Sequence, residues 1–395
     1  MKKATRQHTR AHNKQLVLRT IFQQEATSRA DIARSTHLTR TTVSHIVAEL
    51  ITEGLIEESG RGPSEGGKPP VLLEIVPDSR NLIGIDLANS AFHGGVFDLR
   101  GNLIQRIDLP VHDRNGPQAL ALVSQLSDSL LDACNGPVLG IGIGTPGLVN
   151  ARDGIVRRAV NLDWRDLPMR SLLEARYDLP VYVSNDSHAA ALGEYAFGQK
   201  REIANLIVIK VGRGTSAGIV LNGRLHYGDG SGAGEIGHVR VVEEGAPCLC
   251  GQTGCLETVV SSRAIVKKAG QLLQNKRSST LQQFVTIPEE ITTDIVLQAF
   301  EAGDEAIRQM IVEAGRYLGI ATAYMVGVLN VQHIFIAGSL ARFGETLLDA
   351  VRYEMQERAM SILAQDTHIK CSHLGQDIVM LGAASHLLTN ELGSV

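Results

Sequence analysis

The sequence predicts an α/β protein, with a winged helix-turn-helix at its N-terminal end followed by a two-lobed body. Three observations lead there. Two short helical patterns joined by a tight turn precede a hairpin with a Gly/Pro-rich tip. After Pro77 the pattern becomes three adjacent strands with glycine turns, a helix and a buried strand, as in a mixed sheet covered by helices. The same succession partly returns after Leu206. The expected boundaries are 1–77 for the head, 78–200 for the N-terminal lobe and 201–395 for the C-terminal lobe.

A chain of 395 residues with 44% hydrophobic residues is long and apolar enough for real cores. Net charge is −4 overall, yet residues up to Pro70 carry 11 Lys and Arg against 7 Asp and Glu, so the excess of cations sits at the head. That is the end suited to an acidic polymer. Although Met1-Lys2-Lys3-Ala4-Thr5-Arg6 is basic, no apolar run follows it as a signal peptide requires. No segment reaches the roughly 18 apolar residues of a membrane span, and Val138 to Val149 is broken by Thr145 and Pro146. The expectation is a soluble, cytoplasmic protein, with Cys134 and Cys371 as solitary core thiols.

In the head, Leu16, Leu18, Ile21 and Phe22 suggest an amphipathic helix from Asn13 to Gln24. Ser28 ahead of Asp31 resembles a capping box with Asp in place of Glu, opening a short helix through Ser35. Thr36-His37-Leu38 makes the turn. Thr39 caps a third helix in which Val43, Ile46, Val47 and Leu50 form one stripe, and Gly54 ends it. Opposite the stripe lie Thr41, Ser44, His45 and Ala48, with Arg40 and Thr42 at the N-terminal end. Short side chains of this kind let a helix enter a major groove and bring donors and methyl groups to base edges. Leu55-Ile56-Glu57 and Val71 to Val76 read as the strands of a wing, with Lys68 in the tip between Ser59 and Pro70 to lay a cation in the minor groove. The candidate DNA contacts are therefore Arg40, Thr41, Thr42, Ser44, His45 and Lys68. A small helical packing domain with no role on DNA is the alternative; the basic balance, the uncluttered face and the wing favour DNA.

In the body, strands are expected at Leu82 to Leu87, Gly94 to Asp98, Leu103 to Leu109 and Val138 to Gly144, with a helix from about Pro117 to Cys134. The second set runs Leu206 to Val211, Ala217 to Leu221 and Arg224 to Tyr227. Helices follow near Ser261 to Gln274, Thr293 to Ala302 and Asp304 to Leu329, then the strand His333 to Ala337.

Between these sets of elements, Gly234-Glu235-Ile236-Gly237-His238 is followed after nine residues by Cys248-Leu249-Cys250-Gly251-Gln252-Thr253-Gly254-Cys255-Leu256-Glu257. His238, Cys248, Cys250 and Cys255 form a complete set of zinc ligands. With no carboxylate and no open position, a Cys3His set reads as structural. Three buried free thiols are the alternative. Glu235 and Glu257 bracket the knot, and carboxylates held by a rigid loop are good acceptors for a polyol.

The run Glu-x-Gly-His followed by Cys-x-Cys-Gly-x-x-Gly-Cys-x-Glu resembles the signature of the ROK family, which groups sugar-responsive repressors with sugar kinases. The resemblance implies an actin-like ATPase or sugar-kinase fold with a cleft between its lobes, zinc on the four residues named, and Glu235, His238 and Glu257 facing a sugar. Gly144-Thr145-Pro146-Gly147, Asn161-Leu162-Asp163-Trp164 and Val181-Tyr182-Val183-Ser184-Asn185-Asp186 resemble the family's sugar cleft, adding Asn161, Asn185 and Asp186. In the kinases the aspartate is the general base; an N-cap for the helix Ser187 to Phe197 is its bland reading, and the two are compatible. For Asn161 the bland reading is an amide closing a loop. Where the kinases carry Asp-x-Gly-Gly-Thr-Lys, this chain has Asp86-Leu87-Ala88-Asn89-Ser90-Ala91. The second loop, Gly212 to Gly218, keeps glycines but contains Arg213, and Ile336-Ala337-Gly338-Ser339 lacks the paired glycines of the kinases. These departures imply that ATP is not bound productively.

The expected function is a sugar-responsive transcriptional regulator, a repressor of sugar-metabolism genes, with structural zinc and no ATP. Its expected partners are palindromic operator DNA, a monosaccharide or sugar-derivative effector, and a second copy as a homodimer or tetramer. The C-terminal lobe would carry the dimerisation surface. A ROK sugar kinase with an appended head is the alternative, with Asp186 as base; an adaptor that binds a protein is a third reading.

Overall fold

The computed structural model describes residues 6–24, 26–63, 69–88, 90–198, 203–275 and 280–393. Packing divides the chain into two compact units, Met1–Ser184 with Met380–Val395, and Asn185–Val379.

The first unit opens with α1 (Arg6–Gln23), which buries Val17, Leu18, Ile21 and Phe22. It begins ahead of the expected Asn13, because its first turns are polar, exposed from His8 to His12, and carry no apolar period. After β1 (Thr27–Ser28), Ser28 caps α2 (Arg29–Thr36), its Oγ accepting from the Asp31 amide at 3.2 Å. His37 takes the left-handed conformation at φ 57° and turns the chain toward α3 (Arg40–Thr52). Thr39 Oγ1 accepts from the Thr42 amide at 3.2 Å, Val43, Ile46, Val47 and Leu50 are buried, and Gly54 follows at φ 71°. The wing strands β2 (Ile56–Arg61) and β3 (Val71–Ile75) join β1 in the order β1-β3-β2. The expected wing-tip cation Lys68 lies outside the described residues.

The remainder of this unit is built on β4 (Asn81–Asp86), β5 (Ala91–Phe97), β6 (Leu103–Pro110), α4 (Gly116–Asp132), β7 (Val138–Thr145), β8 (Leu148–Asn150), β9 (Ile155–Ala159), β10 (Trp164–Leu167), α5 (Met169–Tyr177) and β11 (Val181–Asn185). The main sheet has the order β11-β7-β4-β5-β6, with β4 antiparallel to β5 and parallel to β7. A small sheet, β10-β9-β8, stands apart from it. Two arginines fasten the head to this lobe. Arg100 donates from Nη1 to the Phe22 carbonyl at 2.7 Å with its guanidinium over the Phe22 ring, and Arg80 donates from Nη2 to the Glu53 carbonyl at 3.1 Å.

The second unit contains α6 (Asp186–Phe197), β12 (Leu206–Val211), β13 (Thr215–Leu221), β14 (Arg224–Leu225), α7 (Glu257–Val260), α8 (Ser262–Gln274), α9 (Leu281–Phe284), α10 (Thr293–Glu301), α11 (Glu305–Leu329), β15 (His333–Ala337), α12 (Gly344–Arg358), α13 (Ser361–Gln365) and β16 (His368–Cys371). Its sheet order is β14-β13-β12-β15-β16. In both sheets a three-stranded meander is extended from its first strand by two later strands, so the repeated strand pattern in the sequence reflects a repeated topology. Each unit has its own apolar core, one around Ile83, Ile85, Phe92 and Ile141, the other around Ile207, Ile209, Ile334 and Ile336.

The division between units differs from the boundary expected after residue 200. Helix α6 packs on β12 and β13 and so belongs with the second unit. The final helix, α14 (Ile378–Leu387), returns to the first unit. It lies so close to β7 that a Cβ on Gly142 would collide with the Ala383 carbonyl.

Candidate functional site

The metal-binding knot forms because the chain doubles back twice within a few residues. The Cys248 amide donates to the Gln252 carbonyl at 2.7 Å and the Gly251 amide to the Cys248 carbonyl at 3.0 Å, closing a tight turn around the first two thiols. Gly254, at φ 73°, runs so close to the Val242 carbonyl that no Cβ fits. The third thiol follows, buried on Cys255.

Cys248 Sγ stands 3.6 Å from His238 Nδ1, Cys250 Sγ stands 3.7 Å from Cys255 Sγ, and the four ligand atoms lie within 4.8 Å of one another. A tetrahedron with metal–sulfur bonds near 2.3 Å has edges of about 3.5 to 3.8 Å, so the donor set fits one ion. Burial pushes the Cys255 thiol up to about 12, which disfavours a thiolate there unless a cation compensates it. The four residues thus form one Cys3His cluster able to hold a metal, not scattered core thiols.

Around the knot the structure gathers four of the expected polyol ligands in the second unit. His238 turns Nδ1 to the thiols and Nε2 toward Glu235, whose Oε2 is 3.8 Å away. Burial raises the Glu235 carboxyl above its ordinary range; His238 opposes this, and the charges of Asp186 and Glu257 add to it. Glu257, at the start of α7, accepts from the Thr215 amide at 3.1 Å and from Arg263 at 3.0 Å. It therefore ties the Gly212–Thr215 turn to α8. Asp186 opens α6 and its Oδ2 pairs with Lys210 Nζ at 2.8 Å.

Asn185, rather than Asp186, caps α6. Its Oδ1 accepts from the Ser187 amide at 2.9 Å and the Ser187 hydroxyl at 2.5 Å. The N-cap weighed for Asp186 is thus one residue off. Asn161 is exposed on a 3-10 turn, Val160–Leu162, of the first unit.

Three residues near these were given no role from the sequence. His188 is 2% exposed and its Nε2 contacts the Ala233 carbonyl at 3.0 Å, joining α6 to the segment that leads into Glu235. Arg263 braces Glu257. Lys210 had a visible signal, a lone charge inside the apolar run Leu206–Val211. Of the first phosphate loop, Asp86 is buried at the end of β4, and Asn89 lies outside the described residues.

On the head, Arg40, Thr41, Ser44 and His45 are exposed along one side of α3. Thr42 is half-buried and its hydroxyl bonds Thr39 Oγ1 at 2.9 Å, so part of its capacity serves the helix cap.

Residues 82–390 match the model described as ROK family, and residues 10–57 match the one described as winged helix-turn-helix DNA-binding. The xylose repressor of Caldicellulosiruptor bescii is 33% identical over 384 residues, covering 96% of each chain. The glucokinase of Halalkalibacterium halodurans is 32% identical over 310 residues, which is 77% of this chain and 93% of that protein. Among solved structures, a ROK family transcriptional regulator described as a homologue of the Escherichia coli MLC protein superposes with a TM-score of 0.84 at 29% identity, covering 98% of this chain and 97% of that one.

Proposed function

The chain belongs to the ROK family, and on that premise we infer that it is a sugar-responsive transcriptional repressor that binds operator DNA through its winged helix-turn-helix. The observation that carries this is the union in one chain of an exposed, uncluttered α3 with a knot whose surroundings present Asp186, Glu235, His238 and Glu257 together. Carboxylates suit polyols because each pairs with adjacent hydroxyls, and such a site strongly rejects analogues that lack one.

In this reading His238, Cys248, Cys250 and Cys255 hold structural zinc, which when bound cross-links the knot and fixes the aim of the imidazole. Asn161 and Asn185 complete the proposed sugar ligands, and Arg40, Thr41, Thr42, Ser44, His45 and Lys68 the proposed DNA contacts. The domains we propose are the head, 1–77, a first lobe of 78–184 with 380–395, and a second lobe of 185–379. A homodimer on a palindromic operator accords with the head. The partner surface we assign is the exposed apolar end of α11 to α13, with Tyr324, Val328, Tyr353, Met360 and Ile362. A repressor works beside its DNA, so a cytoplasmic location goes with this reading; among the described residues no helix is long and apolar enough to cross a membrane.

Fluorescence anisotropy of a labelled fragment from upstream of the protein's own gene, titrated in the presence of a sugar panel headed by xylose, tests the reading. One sugar should shift the midpoint; binding that no sugar moves counts against it. A sugar kinase is the second reading, favoured by the glucokinase relative. The altered first loop and the Asp186–Lys210 ion pair oppose it. ADP release with a hexose, abolished by Asp186→Asn, would establish it.

A further inference from the structure

Lys210 sits on β12, the central strand of the second sheet, between β13 and β15, with its Cα partnered by Ser216 and Ala337. Its chain neighbours Ile209 and Val211 are fully buried, so the backbone that carries it is fixed. A lysine at such a position is retained only where its charge is met. It is met by Asp186, at 2.8 Å, with the two side chains only 18% and 15% exposed. Asp186 is fixed in turn, as the first residue of α6, behind the Asn185 cap.

We propose that Lys210 is a positioning residue for the effector. It holds Asp186 as a permanent hydrogen-bond acceptor for a sugar hydroxyl, and this pair sets the strength and selectivity of the sugar response. The proposal rests on the function proposed above and adds a residue that the family motifs do not contain. A hydroxyl is both donor and acceptor, and an ammonium beside a carboxylate presents the complementary pair in one place. The same geometry works against proton abstraction. If Asp186 took a proton from a bound hydroxyl, the Lys210 ammonium would lose this ion pair in a mostly buried position. The pair therefore favours binding of the sugar over its activation.

The test is the sugar concentration giving half the shift in operator anisotropy, measured for the native chain, Lys210→Met, Lys210→Arg, Asp186→Asn and the double variant Lys210→Met/Asp186→Asn. Zinc content and the melting curve report folding. The native chain must show the response first. Lys210→Met should raise the half-response concentration about tenfold or more, as loss of one partner of a buried pair does. Lys210→Arg should recover most of it, and the double variant should be no worse than Asp186→Asn alone, because the proposed effect of the lysine on the sugar runs through the Asp186 carboxylate. Additive losses, or a Lys210→Met response equal to the native one, would overturn the proposal and leave the repressor reading intact. A native chain with no sugar response would overturn both.

Discussion

The side chains that matter most are those whose chemistry is already spoken for. Cys255 is buried, with its thiol pushed up, and Cys248, Cys250 and His238 converge on it. Cys250→Ser should therefore release zinc, lower the melting temperature and abolish the sugar response, checked by metal analysis beside the anisotropy titration; a response that survives zinc loss would mean the metal does not organise the polyol ligands. Thr39 holds the first turn of α3. Thr39→Ala should cost about 1 kcal/mol of stability, read from chemical denaturation. The Cys3His cluster was legible in the sequence because thiols at fixed spacing among glycines have few other uses. Lys210 showed only as a lone charge whose partner lies 24 residues away, His188 acts through the distant Ala233 carbonyl, and Arg263 meets Glu257 only because the chain turns between α7 and α8.

At the level of elements, the head behaves as its sequence implies. Arg40 is exposed at the N-terminal end of α3, so Arg40→Ala should weaken operator binding and reduce its salt slope by about one counterion, measured by titrations across ionic strength. An unchanged slope would put the DNA face elsewhere. Most strands and long helices were legible from periodicity and turn residues, and His333–Ala337 coincides with its expectation. The two-residue β1 and the short arms β8 to β10 were not, because two to four residues hold too little alternation to register and β9 breaks its own with the adjacent Arg157 and Arg158. Helix α6 was recognised but assigned to the wrong lobe. Its alanine-rich sequence is buried almost throughout, so no polar face tells which sheet it covers.

Across the whole molecule, the duplicated sheet topology explains why one sequence pattern occurs twice, while the path of the chain explains why sequence order misplaces the boundary. The first unit is left at Ser184 and rejoined at Met380. Until α14 arrives, Gly142 on β7 faces nothing where the Ala383 carbonyl belongs. During synthesis, then, the lobe to which Arg80 and Arg100 fasten the DNA-reading head is begun before the second unit and completed only after it, because the whole of that unit separates β11 from α14. A message cut short before Ile378 would yield a polypeptide whose head stands on a platform that lacks the cover of its β7 strand.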